Sequence, residues 1–190
     1  MKKIQLPLRN EDIKGLRAGD AVLLNGVMLS GRDAAHKRII QALEKGESLP
    51  VELKGETIYY AGPCPTPPGK VIGSVGPTTS GRMDSYTPRL LEYGLKGMVG
   101  KGQRAAAVVA AMVEYGAVYF AALGGAGALI AQSIKSADVL AYPDLGPEAI
   151  HRLMVEDFPV IVAIDSCGND LYKLGREKYQ LTANSDQIWI

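Results

Sequence analysis

The sequence predicts an α/β layered domain, and three observations carry that prediction. Strand-like and helix-like segments alternate along the chain, the pattern of a sheet packed against helices. The run Val160 to Asp165 is almost continuously apolar, as in a buried strand. Gly/Pro clusters punctuate the segments, and no linker, internal repeat or low-complexity stretch interrupts them. The elements then follow in order. Residues 5–20 are polar and end in Arg17-Ala18-Gly19-Asp20, which reads as a strand and a turn. Ala21 to Leu29 is an apolar strand. Asp33 to Lys45 sets Ala34, Ile39, Ile40 and Leu43 at helical spacing, with Gly46 as the stop. Val51 to Leu53 and Thr57 to Tyr60 are short strands around Lys54-Gly55-Glu56, a hairpin turn. Ala61 to Lys70 holds Pro63, Pro65, Pro67 and Pro68 and forms no regular element. A helix-like run covers Asp84 to Tyr93, a short strand Gly97 to Val99, and an alanine-rich helix Gln103 to Tyr115. Ala117 to Leu123 is a strand, and Gly124-Gly125-Ala126-Gly127 opens a helix over Ala128 to Lys135. Val139 to Tyr142 is a strand and Pro147 to Glu156 a helix, with Pro147 in its first turn. Leu171 to Ile190 is a surface helix and tail.

A length of 190 residues fits one domain over 1–190, and 47% hydrophobic content supplies a sizeable core. There are 21 basic and 20 acidic residues, a net charge of +1, and no basic stripe, so nucleic acid is not an expected partner. The start, Met1-Lys2-Lys3-Ile4, carries no apolar signal region. The most apolar stretch, Ala105 to Ile134, is broken by Glu114, Tyr115 and the glycine cluster, too often for a membrane span. Two cysteines, Cys64 and Cys167, form no disulfide framework and point to a reducing compartment, the cytoplasm.

The most informative stretch is Gly76-Pro77-Thr78-Thr79-Ser80-Gly81-Arg82-Met83-Asp84. It gathers hydroxyls, glycines and a guanidinium in one loop, donors that suit a carboxylate or a phosphate. An ordinary Gly/Pro turn capping a helix, with Ser80 or Asp84 as N-cap, reads equally well. Lys101 lies between Gly100 and Gly102, which leaves its ammonium open to a ligand, or makes it an exposed turn lysine. His36, four residues after Arg32, is either a partly buried helix histidine or a group that orients Arg32. His36 and His151 are isolated and do not make a metal site. The Gly125-Ala126-Gly127 turn lacks the third glycine of a dinucleotide fingerprint and suits close strand–helix packing better.

Gly76 to Asp84 followed by Ser85-Tyr86-Thr87 resembles the signature of the iron–sulfur hydro-lyases, the class I fumarases and L(+)-tartrate dehydratases. Gly31-Arg32-Asp33-Ala34-Ala35-His36-Lys37-Arg38, Gly97-Met98-Val99-Gly100-Lys101-Gly102 and Asp165-Ser166-Cys167-Gly168-Asn169-Asp170 resemble three further family segments, in the family's order. The match is to the β subunit, equivalent to the C-terminal domain of single-chain enzymes. The resemblance implies a swivelling β/β/α-type layered domain with a mixed central sheet. It implies reversible hydration of fumarate to L-malate, or dehydration of L-tartrate to oxaloacetate. It also implies that Arg32 and Arg82 bind the substrate carboxylates, that Lys101 belongs to the same site, and that Thr78 is the proton-abstracting base. His36, Thr79 and Asp84 are candidates for the surrounding shell. A [4Fe-4S] cluster needs three or four cysteine thiolates. With two cysteines, this chain would depend on a cysteine-bearing α subunit for the cluster, in an αβ hetero-oligomer. Two other readings are a non-catalytic small-carboxylate-binding protein and a nucleotide-dependent oxidoreductase built on the Gly125 loop. Fumarate and tartrate differ by one hydroxyl, and the sequence does not separate them.

Overall fold

A computed structural model of the chain describes residues 1–179. Among them, β1 (Lys2–Gln5), β2 (Ala21–Ser30), β3 (Thr57–Tyr59), β4 (Gly97–Gly100), β5 (Val118–Ala121), β6 (Ile134–Ala141) and β7 (Ile150–Ile164) form one seven-stranded sheet. The helices are α1 (Asn10–Lys14), α2 (Asp33–Glu44), α3 (Thr87–Glu92), α4 (Ala106–Tyr115), α5 (Gly127–Gln132) and α6 (Leu171–Tyr179). The predicted tail beyond residue 179 lies outside the described residues.

The sheet is mixed. Strands β1 to β5 pair in parallel, whereas the long β7 runs antiparallel to β2, β5 and β6. Because β7 pairs with both β2 and β5, strands β2-β3-β4-β5-β7 close into a ring, with Ile161 facing Ala21 on one side and Ala121 on the other. β1 and β6 flank the ring outside it. Side chains alternate across this sheet with period two. Tyr59, Val99 and Phe120 join one core with Val22, Leu24 and Val162 inside the ring. Their neighbours Ile58, Met98 and Tyr119 turn the other way, onto Ile39 of α2, Leu90 of α3 and Met112 of α4. Each fully buried aliphatic or aromatic side chain contributes about 1.5–3 kcal/mol. The α/β layering expected from the residue pattern is present, with the mixed central sheet that the family resemblance implies.

Several predicted elements differ. Val51–Leu53 is no strand and there is no hairpin at Gly55, because β3 is already flanked by β2 and β4 on its two edges. Val51 and Leu53 are buried in the helical-side core instead. Pro147 to Glu156 is not a helix. A 3-10 turn covers Pro143–Glu148 and β7 starts at Ile150. Leu153 and Val155 are buried while Arg152, Met154 and Glu156 are exposed, a strand alternation disguised by an apolar methionine on the wet face. β6 begins at Ile134, five residues before the predicted strand, and α5 ends correspondingly early. Residues 5–20 hold the end of β1 and the short helix α1. The segment after Gly76 starts as a 3-10 turn, Ser80–Met83, and only then becomes α3. No helix among the described residues is long and apolar enough to cross a membrane.

Candidate active site

The four central parallel strands point their carboxyl ends the same way, and ligands in such sheets bind outside those ends. Arg32 follows β2 by two residues and stands at the start of α2. Lys101 follows β4 directly. Thr78 is tied to the end of β3, its N–H donating to the Tyr60 carbonyl at 2.6 Å. Its own carbonyl accepts from the Lys101 N–H at 3.3 Å, and Thr79 bridges Lys101 as a one-residue β pair. Arg82 lies one 3-10 turn further on. Topology thus brings Arg32, Thr78, Thr79, Arg82 and Lys101 to one end of the sheet.

These groups are presented differently. The Thr78 backbone is bonded on both sides, yet its half-buried hydroxyl makes no hydrogen bond to any described residue. Lys101 is exposed and forms no ion pair among the described residues. Arg82 is 50% exposed and donates from Nη2 to Asp33 Oδ2. Arg32 is less open. Its Nη2 lies 3.8 Å from the same Asp33 oxygen and 3.4 Å from Glu148 Oε1. Its Nε is buried without a partner. Lys101 and Arg82 therefore give this end of the sheet an exposed cationic face. A cavity of about 510 Å³ lies elsewhere, between Pro67–Ser74 and α5.

The three outer candidates resolve into distinct roles. His36 is buried beneath Arg32, and its Nδ1–H donates to the Arg32 carbonyl at 2.8 Å. Burial, opposed by that bond, lowers its pKa to about 4, so the ring is neutral at pH 7. It fixes the backbone of Arg32 and does not reach the surface. Asp84 faces inward: Oδ1 accepts from Arg104 Nε at 2.7 Å and Oδ2 from the Ala105 N–H at 2.6 Å, at the start of α4. Thr79 is exposed and contributes through its backbone.

Arg104 is the residue that sequence reasoning missed. Its side chain is fully buried and also donates to Thr87 Oγ1 at 2.8 Å and to Met98 Sδ at 3.5 Å. It stacks over the Tyr60 and Tyr119 rings at 5.4 and 5.0 Å. Burial works against its charge, but Tyr60, Asp84 and Tyr119 outweigh it and raise the pKa. The one available signal was an arginine abutting an apolar helix. Above it, Ser80 Oγ lies 2.9 Å from the Tyr119 hydroxyl, which donates to the Gly102 carbonyl at 2.9 Å. A side chain at Gly100 would put its Cβ 2.0 Å from Ser80 Oγ, so glycine is required where β4 meets this turn. Arg104, Ser80 and Tyr119 form the floor that holds Thr78 and Lys101 in place.

The Gly125 turn serves packing. A Cβ at Gly127 would lie 2.8 Å from the Gly76 nitrogen, and the Gly127 carbonyl accepts from the Val75 N–H at 3.2 Å. The Asp165 segment is likewise structural. Burial raises the Asp165 carboxyl, but Asn169 and the backbone N–H groups of Ala18, Asn169 and Cys167 outweigh it and hold its pKa low.

Residues 1–175 match the family model described as the fumarase C-terminus. The chain belongs to the fumarase C-terminus family. This is the family that its four sequence segments resemble. Among its relatives, the chain is 45% identical over 152 residues to the aerobic class I fumarate hydratase of Escherichia coli, covering 79% of this chain and 28% of that protein. It is 44% identical over 156 residues to fumarate hydratase 2 of Leishmania major, covering 81% and 28%. It is 41% identical over 172 residues to the putative L(+)-tartrate dehydratase subunit beta of Methanocaldococcus jannaschii, covering 87% and 88%. The chain thus spans 28% of the length of the fumarate hydratases cited, and nearly all of a β subunit. As for the family's iron–sulfur chemistry, Cys64 and Cys167 are both exposed and unpaired, and no group of three potential ligands exists among the described residues. Two thiols do not fit a cubane cluster.

Proposed function

We propose that this chain is the β subunit of a two-subunit cytoplasmic hydro-lyase that interconverts fumarate and L-malate, or dehydrates L-tartrate. The observation that carries the reading is the placement of Arg32, Thr78, Arg82 and Lys101 at the carboxyl ends of four parallel strands, with Lys101 backbone-bonded to Thr78 and both arginines beside Asp33. Dehydration must remove a weakly acidic proton next to a carboxylate, which builds negative charge on that carboxylate. Two guanidiniums suit the two carboxylates of a small dicarboxylate, since arginine grips such groups at two points. The exposed Lys101 ammonium stabilises the developing charge. The Thr78 side chain, whose hydroxyl makes no hydrogen bond to any described residue, takes the proton as its alkoxide. A threonine hydroxyl is far from ionised at neutral pH, and nearby cations favour its alkoxide.

The departing hydroxide needs a Lewis acid, which an iron–sulfur cluster supplies when bound. We assign that cluster to a cysteine-bearing α subunit seated over the open cationic face. The isolated chain is then expected to stay colourless after anaerobic treatment with iron and sulfide. Stoichiometric charge-transfer absorption on this chain alone would end the two-subunit assignment. Activity provides the direct test. The chain co-expressed with a cysteine-bearing α partner should hydrate fumarate or dehydrate L-tartrate, and each subunit alone should not. Absence of both reactions in a complex with its full iron content would overturn the proposal.

A further inference from the structure

We infer that Asp33 is a positioning residue that sets the separation and aim of the Arg32 and Arg82 guanidiniums. One atom, Oδ2, carries the argument: it accepts from Arg82 Nη2 and lies 3.8 Å from Arg32 Nη2. Two cations from remote segments, Arg82 being 49 residues from Asp33 in sequence, therefore meet on a single oxygen. Asp33 is itself well anchored. It is the first residue of α2, where the helix N-terminus favours a negative charge. On the far side of Arg32, Glu148 performs the matching task, since Oε1 faces Arg32 while Oε2 accepts from the Ala34 N–H at 3.1 Å. Arg32 is thus held between two carboxylates, both fixed to the start of the same helix. Arg82 has Asp33 alone among the described residues. Half-exposed, it would otherwise spread over many rotamers, and ordering it would be charged to substrate binding. A guanidinium has five N–H donors, so the contact with Asp33 leaves donors for a substrate carboxylate.

The inference rests on the arginines binding substrate as proposed above, and it makes a prediction opposite in sign to simple electrostatics. Asp33→Asn removes a negative charge from an anion site. If Asp33 only diluted the positive field, or occupied Arg82 in place of substrate, this change would tighten substrate binding. A positioning role requires the reverse. Misplacing groups by about 1 Å typically costs about 100-fold, and a fall of that order in kcat/KM with a raised KM is expected. The experiment uses the assembled αβ enzyme. It measures kcat and KM for fumarate or L-tartrate, and the inhibition constant of succinate, in wild type, Asp33→Asn, Arg82→Lys and the double variant. Because part of the Asp33 effect runs through Arg82, the loss in the double variant should fall well short of the sum of the two single losses. An unchanged or lower KM and succinate constant in Asp33→Asn overturns the inference, as does full additivity in the double variant. Should Asp33→Asn fail to assemble, Asp33→Glu keeps the charge but moves it by one methylene, and a wild-type KM there also overturns it. An inactive wild-type complex with full iron content would instead count against the proposed function, so the two failures are distinguishable.

Discussion

Thr78→Ala is expected to abolish exchange of the substrate C–H proton with solvent in the assembled enzyme while substrate still binds. The Thr78 backbone is held by Tyr60 and Lys101, and those two bonds do not involve the side chain. The variant should therefore keep the turn and lose only the hydroxyl. General acid–base groups contribute about 100- to 10,000-fold, and a loss in that range is the expected result. Thr78→Ser retains the hydroxyl on a freer side chain and should keep partial activity. Solvent deuterium incorporation into malate or tartrate, with succinate affinity measured in parallel, separates the outcomes. Weakened succinate binding with exchange retained would reduce Thr78 to a positioning group. A folded Thr78→Ala enzyme exchanging at the wild-type rate would remove it from proton transfer altogether. Thr79→Ala should be much milder, because Thr79 is exposed and contributes through its backbone pairing with Lys101.

Arg82→Lys should also be severe, although it keeps the charge. A lysine ammonium is a compact point charge and cannot hold Asp33 and a substrate carboxylate in one plane. Loss of one such charged contact costs about 2–4 kcal/mol, roughly 30- to 1000-fold in kcat/KM. Arg32→Lys should fall in the same range, with more of the effect in KM. Arg32 sits against two carboxylates and its guanidinium position is more tightly defined than that of Arg82. Steady-state kinetics on the αβ enzyme check both variants, and near-normal values for the pair would take the arginines out of contact with substrate.

Much of the fold was legible because its signals are local. β2 and α2 carry clear apolar runs, and Gly46 marks a real stop. The misreadings arose where pairing partners far away in sequence decide the outcome. Val51–Leu53 has strand composition, yet both edges of β3 are taken by β2 and β4. The first half of β7 looked helical because Pro147 and Met154 hid an alternation that pairing with β2 and β6 enforces. At the candidate site, Arg32, Thr78, Arg82 and Lys101 stood out through unusual loop composition. Arg104 did not, since its only signal is its place before an apolar helix, and its partners Asp84, Tyr60 and Tyr119 are remote in sequence. The sharing of Asp33 between two arginines likewise depends on the approach of two remote loops.

The closed ring divides the backbone into two kinetic classes. Strands β3, β4 and β5 have a ring strand on either side, as does the end of β2 at Leu29 and Ser30, so their amide hydrogens are released to solvent only when the ring itself opens. Among the described residues, β1 and β6 are each bonded along one side only, and they can fray while the ring stays shut. Deuterium uptake should therefore be fast in β6 and slow in β3 and β4. The loops bearing Arg32, Thr78 and Lys101 spring from the slow class. Their relative placement should thus survive fluctuations that strip the outer strands from the sheet.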